Sequence, residues 1–218
     1  MQQPAILARG HWPAERVRAR WQERHYEPPT EKERAADAAI AALRERGSPS
    51  HDGLSARLVS HVEQGDELLL ELQPVRWALR LVDGDASHSM AALAVARAAD
   101  GRWLAGRRAA WLSSWPGRWA LGAGGAVDVG ESPAQTLTRE LHEEWAVTPE
   151  RMTVEALVRL PHQLVMVVGL AWLPDGAEIR MDAEHDDHAW WPAEVADWPA
   201  EADEPLRRMA SLLVAHGA

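Results

Sequence analysis

Residues 124–147 read GGAVDVGESPAQTLTRELHEEWAV, and this stretch decides the fold. It places three glutamates within five residues, at Glu140, Glu143 and Glu144. Carboxylates this close repel one another, so on a folded helix they need a compensating cation. Oxygen ligands of this kind suit hard divalent cations such as Mg²⁺ or Mn²⁺. The segment therefore predicts a metal site, and the chain's lack of cysteine argues against zinc.

The same segment carries the signals of a helix that begins at Pro133. Ser132 supplies an oxygen for the N-cap, and Gln135, three residues later, completes a capping box. At about 100° per residue, the apolar side chains fall on one stripe and the three glutamates on a neighbouring arc. We expect one face to pack and the next to bind metal. The apolar stripe consists of Ala134, Leu137, Leu141 and Trp145.

The full spacing of the segment separates it from an ordinary glutamate-rich helix. Such helices are most often solvated faces stabilised by Glu–Arg pairs four residues apart, and that alternative stays open for the glutamates alone. The segment as a whole resembles the Nudix box, G-x5-E-x7-R-E-U-x-E-E-x-G-U, in which U is aliphatic. Its matching positions are Gly125, Glu131, Arg139, Glu140, Leu141, Glu143, Glu144 and Val147. Ala146 replaces the last glycine, at a cost of about 1 kcal/mol if the chain turns left-handed there.

The resemblance implies a fold and a division of the chain. It implies the α+β class, with an α/β/α sandwich around a mixed β-sheet over residues 86–218. Residues 1–85 would form an N-terminal α/β extension that serves substrate recognition or dimerisation. The boundary is expected at the turn of residues 83–85.

The resemblance also implies an activity, the hydrolysis of a nucleoside diphosphate linked to a group X, in which water attacks phosphorus. Bound Mg²⁺, or Mn²⁺ in its place, would neutralise the phosphates and activate the water. The implied metal ligands are Glu140, Glu144 and the carbonyl of Gly124. Glu143 would be a further ligand or a base acting through water, and Arg139 would orient a box glutamate. Gly125 and Glu131 would support the loop.

Several residues outside the box are candidates for the same site. Family members often add an acid from a distant loop, and Glu184 is the first candidate here, followed by Asp186. His185 and His188 lie in the same cluster but lack an evident third partner for a metal site. Arginines before the box could clamp phosphates, and nearby tryptophans could stack on a base or pack in the core. These residues are Arg107, Arg108, Arg118, Trp115 and Trp119.

Composition limits the classes of function. The chain has 218 residues and a formal net charge of −10, which argues against binding to duplex nucleic acid. Cysteine is absent, and no apolar run reaches the about 20 residues that a membrane span needs. We expect a cytoplasmic enzyme that binds a small nucleotide.

Local patterns predict the remaining elements. Helices are predicted at residues 12–26, 30–47, 192–198 and 204–216, the second with a capping box of Thr30 and Glu33. Strands are predicted at residues 54–60, 67–73, 91–97, 102–107 and 164–173, and the last is expected to be central and buried. Loops are predicted at residues 48–50 and 113–125.

The substrate is less constrained than the reaction. Pro161 and the stretch of residues 51–72 favour a nucleotide-sugar such as ADP-ribose or a UDP-sugar, through resemblance to Nudix enzymes of those specificities. A homodimer joined through N-terminal strands is also expected from such relatives. The alternative is a Nudix-fold sensor that binds a nucleotide without cleaving it. Isopentenyl diphosphate isomerisation is nearly excluded, because it uses a cysteine in the related family.

Overall fold

A mixed eight-stranded sheet forms the centre of the protein. The structure, a computed structural model, describes residues 4–47, 52–112 and 114–214. The strands of the sheet are β1 (Ala5–Pro13), β5 (Met90–Arg97), β6 (Trp103–Arg108), β7 (Trp119–Leu121), β8 (Ala123–Ala126), β9 (Arg151–Arg159), β10 (Val165–Trp172) and β11 (His185–Trp191). The sheet order is β1-β9-β10-β5-β6-β11, with β7 beside β6 and β8 beside β5. Among the described residues of this sheet, β10 and β5 are the one parallel pair, in register from Val165–Met90 to Trp172–Arg97.

Helices cover both faces of this sheet, because successive side chains of a strand point to opposite sides. On one face, Ala94 and Ala96 of β5 belong to the core that contains Leu137 and Leu141 of helix α2 (Pro133–Trp145). On the other face, Val95 belongs to a tryptophan-rich core that α3 (Glu204–Val214) completes. The predicted α+β class and α/β/α sandwich are confirmed.

Helix α2 begins and ends as its sequence indicates. Ser132 is the N-cap, and its hydroxyl accepts a hydrogen bond from the Gln135 N–H while the Gln135 side chain accepts one from the Ser132 N–H. Ala146 ends the helix in the left-handed region, with φ 54° and ψ 32°. The alanine that replaces the family's glycine therefore does adopt the conformation that glycine favours.

The extension builds a smaller sheet of three strands. These are β2 (Val17–Trp21), β3 (Leu54–Gln64) and β4 (Glu67–Arg76), in the order β2-β4-β3. The strands predicted at residues 54–60 and 67–73 are confirmed, and they pair as a hairpin with Gly65 at φ 62° in its turn. Helix α1 (Thr30–Glu45) packs its buried side, which includes Ile40 and Leu43, against the 3₁₀ turn Trp77–Leu81 that follows β4.

The extension contributes a strand to the main sheet of its own chain. β1 pairs antiparallel with β9, so the first strand of the extension lies on the sheet that carries the box. β3 reaches the loop before α2 through an isolated bridge between Ser55 and Asp128. The expected dimer contact through N-terminal strands and the boundary at residues 83–85 stay predictions. Within the described residues no helix is both long and apolar enough to cross a membrane.

Some predicted elements are wrong. Residues 12–26 form the end of β1, a short 3₁₀ turn and β2 instead of a helix, because pairing with β9 and β4 satisfies their backbone groups. Pro29, which lacks a side-chain cap, stands at the N-cap of α1, so the capping box at Thr30 is also wrong.

Residues 192–198 contain only the 3₁₀ turn Val195–Asp197, and the predicted loop of residues 113–125 contains β7 and most of β8. The loop predicted at residues 48–50 lies outside the described residues, as do residues 51, 113 and 215–218.

Candidate active site

Two glutamates of α2 meet the glycines of β8 at the centre of the site. Glu144 Oε1 accepts a 2.8 Å hydrogen bond from the Gly124 N–H. The Glu140 carboxylate lies against Gly125, where an added Cβ would stand 2.6 Å from Glu140 Cδ. Both carboxylates are buried, since only 8% of Glu140 and 4% of Glu144 are exposed. Any side chain at position 125 would therefore collide with the Glu140 carboxylate, so this position requires glycine.

Burial makes this pair of acids costly to ionise. It raises the pKa of Glu144 to about 9, and the negative charge of Glu140 adds to the rise despite the hydrogen bond from Gly124. Burial also raises the pKa of Glu140, although the neighbouring Arg139 guanidinium opposes that change. A cation bound between two such carboxylates would stabilise their charged forms and so offset the cost of ionising them.

Arg139 connects the box residues. Its Nε donates to Glu131 Oε1 at 3.0 Å, and its Nη1 donates to Glu140 Oε1 at 2.7 Å and to Glu143 Oε2 at 3.0 Å. Its Nη2 donates to the Ala126 carbonyl at 3.1 Å, which ties the helix to β8. Burial alone would lower the pKa of Arg139, but the contacts with Glu131 and Glu140 outweigh it, and the net shift is upward.

Glu131 holds the loop before the helix. It accepts a 2.7 Å hydrogen bond from the Thr136 hydroxyl as well as the bonds from Arg139. Burial acts to raise the pKa of Glu131, but these hydrogen bonds prevail and lower it. The backbone carbonyl of Glu131 accepts from the Trp21 indole at 3.1 Å, so the extension contacts the box directly.

Glu143 stands apart from the buried pair. Its side chain is 56% exposed and contacts Arg139, while Glu140 and Glu144 turn inward. No group of three or more His, Cys, Asp or Glu that could hold a metal is assembled among the described residues. The structure therefore brings together two of the three glutamates on α2 that were predicted to bind or activate the metal site. The available donors, two buried carboxylates beside a glycine backbone, have the chemistry that a hard divalent cation requires.

The segment that leads into β11 contacts the C-terminal end of α2. Its backbone is bonded to the end of α2, since the Asp182 N–H donates to the Glu144 carbonyl at 3.0 Å. His185 stacks on Trp145 with 4.2 Å between ring centroids, and its Nε2 lies 3.8 Å from Glu144 Oε2. Burial lowers the pKa of His185 and so favours its neutral form. Sequence reasoning missed this contact, because it depends on the pairing of β11 with β6.

Glu184, the acid predicted outside the box, does lie near the pair. Its charge contributes to the raised pKa of Glu144, and its own pKa is raised by burial despite the charge of Arg108, whose Nη2 lies 3.6 Å away. Asp186 instead accepts a 2.6 Å hydrogen bond from Arg107 on the protein surface. Of the predicted distant acids, only Glu184 acts on the pair.

The predicted substrate-binding residues are not gathered at the pair. Arg107 is engaged with Asp186, and Arg118 forms an ion pair with Asp203 while its guanidinium lies 4.9 Å from the ring of the exposed Trp115. Trp119 packs in the core beside α3, with its ring centroid 5.7 Å from that of Trp191. The other predicted histidine, His188, has its ring centroid 6.3 Å from that of Trp145.

The chain is similar to known proteins in its sequence profile and in its structure. The family profile described as NUDIX domain matches residues 87–213. No curated protein matches the chain. One similar solved structure is a MutT protein from Methanosarcina mazei Go1, with 20% identity and a TM-score of 0.45, where the match covers 59% of this chain and 94% of that chain. A Caenorhabditis elegans Ap4A hydrolase in a binary complex has 25% identity and a TM-score of 0.45, over 58% of this chain and 95% of that chain. A MutT Nudix hydrolase from Burkholderia pseudomallei has 23% identity and a TM-score of 0.46, over 57% of this chain and 97% of that chain.

The profile match covers more than half of the 218 residues, and it includes the whole box together with β5, β8 and β10, which contact α2. The predicted recognition and the predicted class of enzyme are therefore confirmed. The chain belongs to the Nudix hydrolase family, whose members are pyrophosphohydrolases that act on nucleoside diphosphate derivatives and generally use divalent metal ions.

Proposed function

We propose that this protein hydrolyses the diphosphate of a nucleotide-sugar such as ADP-ribose or a UDP-sugar, with Mg²⁺ as its metal. The observation that carries the proposal is the buried pair of Glu140 and Glu144 beside Gly124 and Gly125. Such a pair has no structural advantage of its own, because buried charges cost free energy unless an ion or partner compensates them.

Glu140, Glu144 and the Gly124 carbonyl would hold the metal, with Glu143 as a further ligand through water. When bound, a divalent cation neutralises phosphate charge and makes coordinated water more acidic. Mg²⁺ is proposed first because the side-chain donors are all oxygen atoms, and Mn²⁺ accepts the same set.

The residues of the chain divide the remaining tasks. Arg139 holds Glu140 and Glu143 in fixed orientations through one guanidinium group. Glu143 is exposed to solvent, so its carboxylate can take a proton from the attacking water, and Glu184 is the second candidate for that role. The water oxygen bonds to phosphorus, the bridging P–O bond breaks, and the products are a nucleoside monophosphate and a phosphorylated X.

Substrate selection is assigned to positions outside the box. Arg107, Arg118 and Trp119 stay candidates for binding phosphate and base, and the arginines would have to exchange Asp186 and Asp203 for substrate oxygens. Trp115 offers an exposed ring beside Arg118 on which a base could stack.

The test is a substrate panel with Mg²⁺ that contains ADP-ribose, UDP-glucose, NADH, dinucleoside polyphosphates, coenzyme A and 8-oxo-dGTP. We expect hydrolysis of a nucleotide-sugar to fall at least about 100-fold in Glu140→Gln and Glu144→Gln, as the loss of a major electrostatic contribution would produce. Glu150→Gln, which changes an exposed glutamate beyond the box, is the matched control. Full turnover in both box variants would refute the metal site, and tight binding without hydrolysis across the panel would favour a sensor.

A further inference from the structure

An arginine of the extension lies next to the box although no sequence pattern marks it. Arg80 belongs to the 3₁₀ turn Trp77–Leu81, whose residues Ala78 and Leu79 are fully buried against α1. The Arg80 side chain is half-buried, and its guanidinium carbon lies 5.4 Å from the centroid of the Trp77 ring. Arg80 is therefore more exposed than the two residues before it in the turn.

Hydrogen bonds fix the position of this turn. Asp52 Oδ1 accepts from the Ala78 N–H at 3.2 Å, and its other oxygen accepts from Nε and Nη2 of Arg76 at 2.8 and 2.5 Å. The Trp77 N–H donates to the Gly53 carbonyl at 2.8 Å. Asp52 and Gly53 lead directly into β3, so the turn and the start of that strand form one rigid unit.

The start of β3 is in turn attached to the loop of the box. The Ala56 N–H donates to the Val127 carbonyl at 2.8 Å, and Ser55 bridges to Asp128. Asp128 itself lies 3.9 Å from Arg139 Nη2. This path of hydrogen bonds and the bridge links the turn of Arg80 to the box loop, and the acid whose charge acts on the Arg80 guanidinium is Glu140.

In the part of the chain that the structure describes, the contact of the Arg80 charge is with the ring of Trp77. Among the described residues, no hydrogen bond or salt bridge reaches its guanidinium, whereas Arg139, Arg107 and Arg118 all hold acids. Burial lowers the pKa of Arg80, yet a guanidinium remains protonated in proteins. Glu140 acts on this cation without a hydrogen bond or salt bridge to it, and a half-buried cation without a contacting anion is unfavourable. A phosphate oxygen would supply the missing contact.

We propose that Arg80 binds a phosphate oxygen of the substrate, so that the extension completes the active site. The inference rests on the proposed function and names a specificity-determining residue for it. It also distinguishes Arg80 from Arg107 and Arg118, which would first have to leave their carboxylate partners. The planar guanidinium suits bidentate contact with a phosphate, and Trp77 limits the directions in which it can point.

The test compares Arg80→Gln, Arg80→Lys and a matched control, Arg44→Gln, which changes an exposed arginine of α1. The probes are α,β-methylene-ADP and α,β-methylene-UDP, in which water cannot cleave the carbon bridge, titrated by calorimetry with Mg²⁺. We expect the better-bound probe to bind about 10- to 100-fold more weakly to Arg80→Gln, as the loss of a charge-assisted hydrogen bond predicts. Arg80→Lys should recover part of the affinity, and the control should match the wild type.

Mn²⁺ titration in the absence of nucleotide separates phosphate binding from an effect on the box. Removing a positive charge near Glu140 should leave Mn²⁺ affinity unchanged or increase it, because that charge repels the metal. If Arg80→Gln bound both probes like the wild type, or lost only Mn²⁺ affinity, the inference would be overturned while the proposed function stood. A wild-type protein that neither bound a probe nor hydrolysed any panel compound would overturn both.

Discussion

Replacing Glu144 with glutamine should stabilise the metal-free protein while it abolishes turnover. Burial raises the pKa of Glu144 from 4.5 to about 9, so folding at neutral pH forces this acid to remain protonated. The free energy involved is about 1.4 kcal/mol for each pH unit above the ordinary pKa, which gives about 3 kcal/mol at pH 7. Glutamine has the same shape, can accept the Gly124 N–H and needs no proton.

The sign of the pH dependence follows from the same shift. Because the pKa in the folded state is raised, the contribution of Glu144 to stability is complete below pH 4.5 and is lost as pH rises towards 9. The stabilising effect of Glu144→Gln should therefore be small at pH 5 and approach about 3 kcal/mol at pH 7. Glu143→Gln, at a side chain that is 56% exposed, should change stability by less than about 0.5 kcal/mol.

Urea denaturation in EDTA, at pH 5 and at pH 7, measures these differences for the wild type and both variants. Hydrolysis assays with Mg²⁺ on the same preparations give the loss of turnover. The reasoning would be refuted if metal-free Glu144→Gln were less stable than the wild type at pH 7. It would also be refuted if the difference in free energy of unfolding between the two proteins did not change with pH.

Three further changes test other parts of the site. Gly125→Ala should displace the Glu140 carboxylate, lower turnover at least about 10-fold and cost about 1–3 kcal/mol of stability, and a variant with normal kinetics and normal thermal melting would contradict the close packing. Ala146→Gly should stabilise the protein by about 1 kcal/mol, because the left-handed turn at φ 54° strains alanine; an unchanged or lower Tm would count against that strain. Arg139→Lys should reduce kcat by about 100-fold, because an ammonium cannot hold Glu131 and Glu140 together as the planar fork does, and near-normal kcat would show that this fork is dispensable.

The parts of the fold that could be predicted are those whose causes are local. Ser132 and Gln135 cap α2 within one turn of chain, and the spacing of Leu137 and Leu141 fixes the buried side of that helix. The hairpin around Gly65 is equally local. The prediction of a helix at residues 12–26 is wrong because the strands that pair with this segment, β9 and β4, lie far along the chain.

The candidate site also has some features that the local sequence predicts and others that depend on distant contacts. The three glutamates of α2 are visible in the sequence, but their unequal burial is not, since it arises where α2 packs on β8. The position of His185 against Glu144 follows from strand pairing, and that of Arg80 from bonds between the extension and the box loop. None of these has a local signature.

The sequence by itself determined the family, the reaction class and the residues available to bind a metal, because the box lies on one continuous loop and helix whose geometry is set by nearest neighbours. Only the tertiary structure decided that Glu140 and Glu144 form a buried pair, that Glu143 faces solvent and that the extension reaches the box. The physical reason is that burial and charge depend on contacts between distant segments, such as the bond from Trp21 to Glu131 across 110 residues of chain.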